Sequence, residues 1–179
     1  MTTKFDRPRP EIPDPEGTDV KEVYAFFGLC SYYGQVLERG LINLAVVLNV
    51  RGATHVTGDD VVAAFERIEV KTLGQLIGDV RRMVPIPDEL GAALSTALHD
   101  RNCLAHRFFT IRDVDFCSNP GRRNMIEELR DMTARFQATD RLLDSITLPL
   151  WEKLGFTQAM MESEVRKMLS EADARESSS

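Results

Sequence analysis

The chain has 179 residues, of which 43% are hydrophobic and 28% charged, and its net charge is −6. This composition predicts a globular protein with one core and excludes the strongly basic domains that bind nucleic acid indiscriminately. Its three cysteines are widely spaced and form no Cys-x-x-Cys pair, which argues against a disulfide framework or a cysteine-rich zinc site. We therefore expect a cytoplasmic protein with no metal, no other cofactor and no membrane segment.

Hydrophobic periodicity predicts one helical domain between two irregular ends. Residues 1–17 contain four prolines among charges and should form a flexible arm, residues 18–174 the single domain, and residues 175–179 a disordered tail. Apolar side chains recur in steps of three and four over residues 19–48, which predicts a long first helix. Asp19 and Glu22 resemble a capping box at its start.

The rest of the domain also follows a helical pattern, so the fold class is all-α, a helical bundle of about five to six helices. Pro85 should stop one helix, Pro120 should begin another after an Asn119 cap, and Pro149 should kink or end it. Residues 113–119 are expected to form a loop. The helices predicted after the first lie at residues 59–66, 72–84, 88–112, 120–148 and 158–174.

The helix predicted at residues 88–112 carries the motif Arg101-Asn102-x-x-x-His106. A guanidinium, a carboxamide and an imidazole are groups that can bind a phosphodiester and move its protons. On an ideal helical wheel Arg101 falls within the apolar stripe, and an unpaired buried charge costs several kcal/mol. Arg101 therefore needs an acidic partner, and Glu38 on the first helix is our first candidate.

A second, polar stripe runs along the same helix and includes His99, Asn102 and His106. Arg101 and His106 are about 140° apart on an ideal helix, so one copy converges them poorly. Two copies across a two-fold axis could bring them to a shared cleft, which favours a homodimer. The alternative is that both are structural, with Arg101 bridging to an acid of the bundle and His106 capping a neighbouring helix.

The motif and the flanking stretch from Leu104 to Phe109 resemble the HEPN superfamily of small helical proteins. That resemblance implies a HEPN-like bundle and a metal-independent endoribonuclease, often a toxin or phage-defence effector, with a site built from two protomers. It assigns the catalytic roles to Arg101 and His106, with Asn102 as their polar companion. It also implies RNA as substrate and an antitoxin or regulatory protein as a possible partner.

Histidine titrates near neutral pH and can take the ribose 2′-OH proton, while arginine can neutralise the charged phosphorane. His99 and Glu38 are candidate supporting residues. Arg107 and Arg112, from a cluster of arginines in the central segment, are candidate RNA contacts. The competing interpretation is a non-catalytic helical dimer that binds a protein partner or regulates transcription.

Overall fold

A computed structural model describes residues 9–53, 55–157, 159–160, 163, 166–167, 170–171 and 174–175. This part of the chain is an all-α bundle, as the hydrophobic periodicity predicts. About half of the residues of the helix predicted at residues 158–174 lie outside the described part, and the described ones are helical. No helix in the described part is both long enough and apolar enough to cross a membrane. The continuous helices are α1 (Val20–Val50), α2 (Gly58–Ile68), α3 (Leu73–Met83), α4 (Asp88–His106), α5 (Asp113–Phe116) and α6 (Asn119–Lys153).

The centre of the bundle is the pair formed by the two longest helices, α1 and α6. Leu37 and Leu41 of α1 and Leu129, Phe136 and Leu143 of α6 are completely buried. The second half of α1 is buried on nearly every side because α2 and α3 also pack against it. α4 lies against α6 and α1, so its outer face remains available to solvent or a partner.

Side-chain caps place the helix starts within a residue or two of the predicted positions. The Asp19 carboxylate accepts a hydrogen bond from the Glu22 backbone N–H at 2.8 Å, but Glu22 bonds the backbone of Glu16, so only half of the predicted capping box forms. Thr57 and Thr72 each head a complete capping box, at α2 and α3 respectively. These caps satisfy backbone donors that the first turn of a helix leaves unpaired.

The motif helix is shorter than predicted, since α4 ends at His106 and not at residue 112. The backbone N–H groups of Arg107 and Phe108 both donate to the carbonyl oxygen of Cys103, which closes the helix in a turn. In a continued helix, adjacent side chains point about 100° apart. The turn instead lets the Phe108 and Phe109 rings both contact Phe27 of α1, with centroids 5.9 and 4.9 Å away.

The region between α4 and α6 also departs from the predicted loop and cap. Residues 113–116 form the short helix α5, and the side chain that caps α6 is Ser118, not Asn119. α6 continues through Pro149 to Lys153. Proline removes one backbone donor, but the turn after it is held because Trp151 is buried against Phe156.

The described part of the N-terminal arm, residues 9–18, contains no helix or strand and lies against the bundle. Arg9 donates to the carboxylates of Asp140 and Asp144 on α6, at 2.6 and 2.7 Å. Ile12 packs against the edge of the core. Residues 1–8 are outside the described part. The arm thus supplies a cation to a carboxylate that is buried inside the bundle, since Asp140 is 1% exposed.

Candidate active site

The motif residues occupy the last two turns of α4 and leave much of their polar surface unused. Arg101 is half-buried, whereas Asn102 and His106 are exposed. Within the described part of the chain, none of the three makes a side-chain hydrogen bond or an ion pair. Their donors and acceptors are therefore available to a ligand or to a second protein.

The buried charge of this helix is Asp100, one residue before the arginine that the wheel placed in the core. Asp100 is 5% exposed and its carboxylate accepts a hydrogen bond from Nε of Arg135 on α6 at 2.6 Å. This ion pair allows a charge to occupy the buried face. In the second half of α4, the buried face therefore includes Asp100 and Cys103, and Arg101 lies at the edge of this face.

A buried thiol adjoins this ion pair. Burial raises the pKa of the Cys30 thiol to about 11, against a smaller opposing effect of a hydrogen bond with Thr133. The nearby Asp100 carboxylate also raises this pKa. Asp100, Arg135, Cys30 and Thr133 together connect α1, α4 and α6. We interpret this polar cluster as structural and not as catalytic, because a protonated thiol is a poor nucleophile.

Arg101 faces a cleft between α1 and α4 with a volume of about 530 Å³. Glu38 lines the same cleft from α1, as the sequence interpretation expected of a partner for Arg101. The predicted ion pair is nevertheless not formed, because no carboxylate oxygen of the described residues lies within 4.0 Å of the Arg101 guanidinium. The residues that line the cleft are Phe27, Ser31, Gly34, Gln35, Glu38, Arg101, Leu104 and Ala105.

Sequence reasoning missed three of the α1 residues in this cleft, Phe27, Ser31 and Gln35. A signal was present in the sequence, because residues three, seven and eleven positions before Glu38 share its side of a helix. It was overlooked because Phe27 belongs to the apolar pattern that predicts the core. The ring of Phe27 is in fact only half-buried.

The remaining candidate residues are distributed unevenly around the motif. His99 is exposed on α4, and Arg107 is exposed in the turn after it. Arg112 is already ion-paired, since its Nε and Nη2 atoms contact a carboxylate oxygen of Glu128 at 2.8 and 2.7 Å. Arg107 is thus better placed than Arg112 to meet a phosphate.

An aromatic cluster adjoins the motif at the end of the bundle where α1 begins. The Tyr24 ring contacts Phe109 edge-on and Phe116 in a tilted arrangement, with ring centroids 5.8 Å away in both cases, yet Tyr24 is 54% exposed. Ile111 and Val114, from the turn and from α5, are also exposed there. These side chains surround the end of α4 with apolar surface, which is typical of interaction sites.

The described residues contain no group of three or more histidine, cysteine, aspartate or glutamate side chains that could hold a metal ion. The polar groups at the candidate site are one guanidinium, one carboxamide and one imidazole on α4, next to a cleft that also contains a carboxylate and an amide from α1. This set can bind an anion, orient it and transfer a proton. No protein-family model, no curated protein and no solved structure matches this chain.

Proposed function

We propose that this chain is a metal-independent endoribonuclease of HEPN type that acts as a homodimer, in the manner of a toxin or phage-defence effector. The observation that carries the proposal is the state of Arg101: a half-buried guanidinium on the wall of a cleft, with no carboxylate within ion-pair distance in the described part. A half-buried cation without an ion-pair partner is well suited to an anionic ligand. His106, one and a half turns further along α4, supplies a proton carrier.

The reaction would be an attack of the ribose 2′-OH on the adjacent phosphorus. His106 takes the 2′-OH proton, and Arg101 donates two parallel hydrogen bonds to the pentacoordinate phosphorane. The bond to the 5′-oxygen then breaks, and that oxygen is protonated by a second imidazole or by water. The products are a 2′,3′-cyclic phosphate and a 5′-OH end. Asn102 would orient the imidazole or donate to a phosphate oxygen.

The geometry of α4 favours a site built from two copies. Five residues of helix turn the chain by about 140°, so Arg101 and His106 of one protomer point to different sides. A second α4 packed across a two-fold axis can place its histidine opposite this Arg101. The exposed apolar side chains around the end of α4, Tyr24, Ile111 and Val114, offer surface for such a contact.

The test incubates labelled RNA with the wild-type protein, with His106→Ala and with Arg101→Ala, all in EDTA. Loss of general acid–base catalysis typically costs 10²- to 10⁴-fold, and we expect His106→Ala to lose about that much. His55→Ala is the matched control, because His55 is an exposed histidine in the loop before α2. Equal cleavage by wild type and His106→Ala would assign the activity elsewhere and overturn the proposal.

The second candidate is a non-catalytic helical dimer that binds a protein partner or regulates transcription. The observation that favours it is the same exposed apolar surface, above all Val114, which is 78% exposed. Absence of cleavage of every RNA offered, with a dimer in sedimentation, would favour this candidate. A wild-type protein that leaves cyclic-phosphate ends would exclude it.

A further inference from the structure

The cleft between α1 and α4 contains unused polar groups of opposite character. Arg101 provides donors on the α4 side, and Glu38 and Gln35 provide acceptors and an amide on the α1 side. Within the described residues, none of these three side chains makes a hydrogen bond or an ion pair. Arg101 and Glu38 are half-buried and Gln35 is exposed, so the polar groups of all three are accessible to a ligand in the cleft.

The cleft is a half-open groove that is large enough to receive a small molecule. Two matching helical faces form its walls, with Ser31, Gln35 and Glu38 in steps of four and three on α1, and Arg101 and Leu104 in a step of three on α4. Its volume of about 530 Å³ lies within the usual range of ligand pockets. Phe27 and Leu104 supply apolar surface against which a flat ring can pack.

The charge pattern indicates what the ligand carries. A ligand that satisfies both walls needs an anionic group for the guanidinium and hydrogen-bond donors for the carboxylate. An unpaired nucleotide has both, a phosphate at one end and a base edge at the other. We propose that this cleft binds a single unpaired guanosine of the substrate RNA, with its phosphate on Arg101 and its base edge on Glu38. This inference rests on the proposed ribonuclease function and adds base specificity to it.

Guanine is the base that fits a carboxylate best. Its Watson–Crick edge presents two adjacent donors, N1–H and N2–H₂, which the two oxygens of Glu38 can accept in parallel. Adenine and cytosine present one donor beside an acceptor. Uracil presents one donor between two carbonyl oxygens, which a carboxylate repels. The amide of Gln35 can donate to O6 of guanine, so the α1 wall complements the whole edge.

The first experiment measures binding without cleavage. Guanosine 3′-monophosphate and uridine 3′-monophosphate are titrated by calorimetry into the wild type, Glu38→Gln and Glu66→Gln. Glu66 is an exposed acid on α2 outside the cleft and controls for the lost charge. A bidentate contact discriminates between bases by about 10- to 100-fold. We expect that preference for guanosine in the wild type and in Glu66→Gln, and less than about threefold in Glu38→Gln.

Arg101→Ala should weaken both mononucleotides equally, because it removes the phosphate contact and leaves the base contact intact. Equal binding of the two mononucleotides by the wild type, or no binding of either, would overturn the inference. A guanosine preference that survives in Glu38→Gln would also overturn it, because the selectivity would then come from elsewhere.

The second experiment separates this inference from the proposed function. RNAs that differ only in one unpaired G or U are incubated with the wild type and Glu38→Gln, and the cut positions are mapped. Cleavage next to G that spreads to other bases in Glu38→Gln supports the inference. Cleavage without base preference refutes the guanosine site while the ribonuclease stands. Guanosine-selective binding without any cleavage keeps the site and refutes the ribonuclease.

Discussion

The N-terminal arm should be essential to the stability of the bundle, and Arg9 is the residue that tests this. Its guanidinium contacts Asp140 and Asp144 on α6 at 2.6 and 2.7 Å, and its own side chain is only 9% exposed. The Asp140 side chain is 2% exposed, so its charge has little access to water. Arg9→Ala removes this cation and leaves the carboxylate in the interior.

The magnitude follows from the degree of burial. Breaking a buried ion pair by removal of one partner costs about 3–5 kcal/mol, whereas an exposed pair contributes about 0–1 kcal/mol. We expect Arg9→Ala to lower the free energy of unfolding by about 3 kcal/mol, a large part of the roughly 5–15 kcal/mol of an ordinary domain. In a chain of this size that corresponds to a melting temperature about 6–12 °C lower.

The assay is urea unfolding followed by circular dichroism. Arg123→Ala is the control, because Arg123 is an exposed arginine on α6 without an ion pair in the described part. It should change the free energy of unfolding by less than about 0.5 kcal/mol. The double variant Arg9→Ala/Asp140→Asn should recover part of the loss, because a carboxamide is cheaper to bury than a carboxylate that has lost the Arg9 guanidinium.

An Arg9→Ala protein as stable as Arg123→Ala would refute this reasoning, since it would mean that the arm does not hold the buried charge. Failure of the double variant to recover any stability would also count against it. In that case the loss of stability would come from packing of the arm and not from the lost Arg9–Asp140 ion pair.

The other predictions concern pH and thiol chemistry. The hydrogen bond from Lys71 lowers the pKa of Asp79, so this pair stabilises the fold above the unfolded-state pKa near 4 and is lost as the pH falls through the lower folded-state value. Lys71→Met should therefore have a lower free energy of unfolding than Lys21→Met at pH 7 and an equal one near pH 2. A difference between the two variants that does not change with pH would contradict this. At pH 8 a thiol reagent should label the exposed Cys117 in the native protein and spare Cys30, whose pKa is about 11, and peptide mapping by mass spectrometry would show any reaction at Cys30.

The sequence by itself determined the helices, because the forces that start and align them are local. Steps of three and four between apolar residues predicted α1 and α6, and short-range caps such as Asp19 set where helices begin. The candidate motif was equally visible, since Arg101 and His106 are five residues apart on one helix. Glu38, which the sequence suggested as the ion-pair partner of Arg101, lines the same cleft but forms no ion pair with it.

Only the tertiary structure decided which polar side chains are buried and paired within the fold. Asp100 is buried and Arg101 is only half-buried, because Arg135, which lies 35 positions after Asp100 on α6, pairs with the Asp100 carboxylate. Likewise α4 stops at His106 because two phenylalanine rings can meet Phe27 only if the chain turns there.

The N-terminal arm shows most clearly that contacts between distant parts of the chain do not follow from the local sequence. Four prolines among charges predict a segment outside the helical core, and residues 9–18 contain no helix or strand. They do not reveal that Arg9 neutralises Asp140, 131 positions later. Burial of a charge depends on the partner that the fold brings to it, and residues far apart in the sequence provide that partner only after the helices have packed.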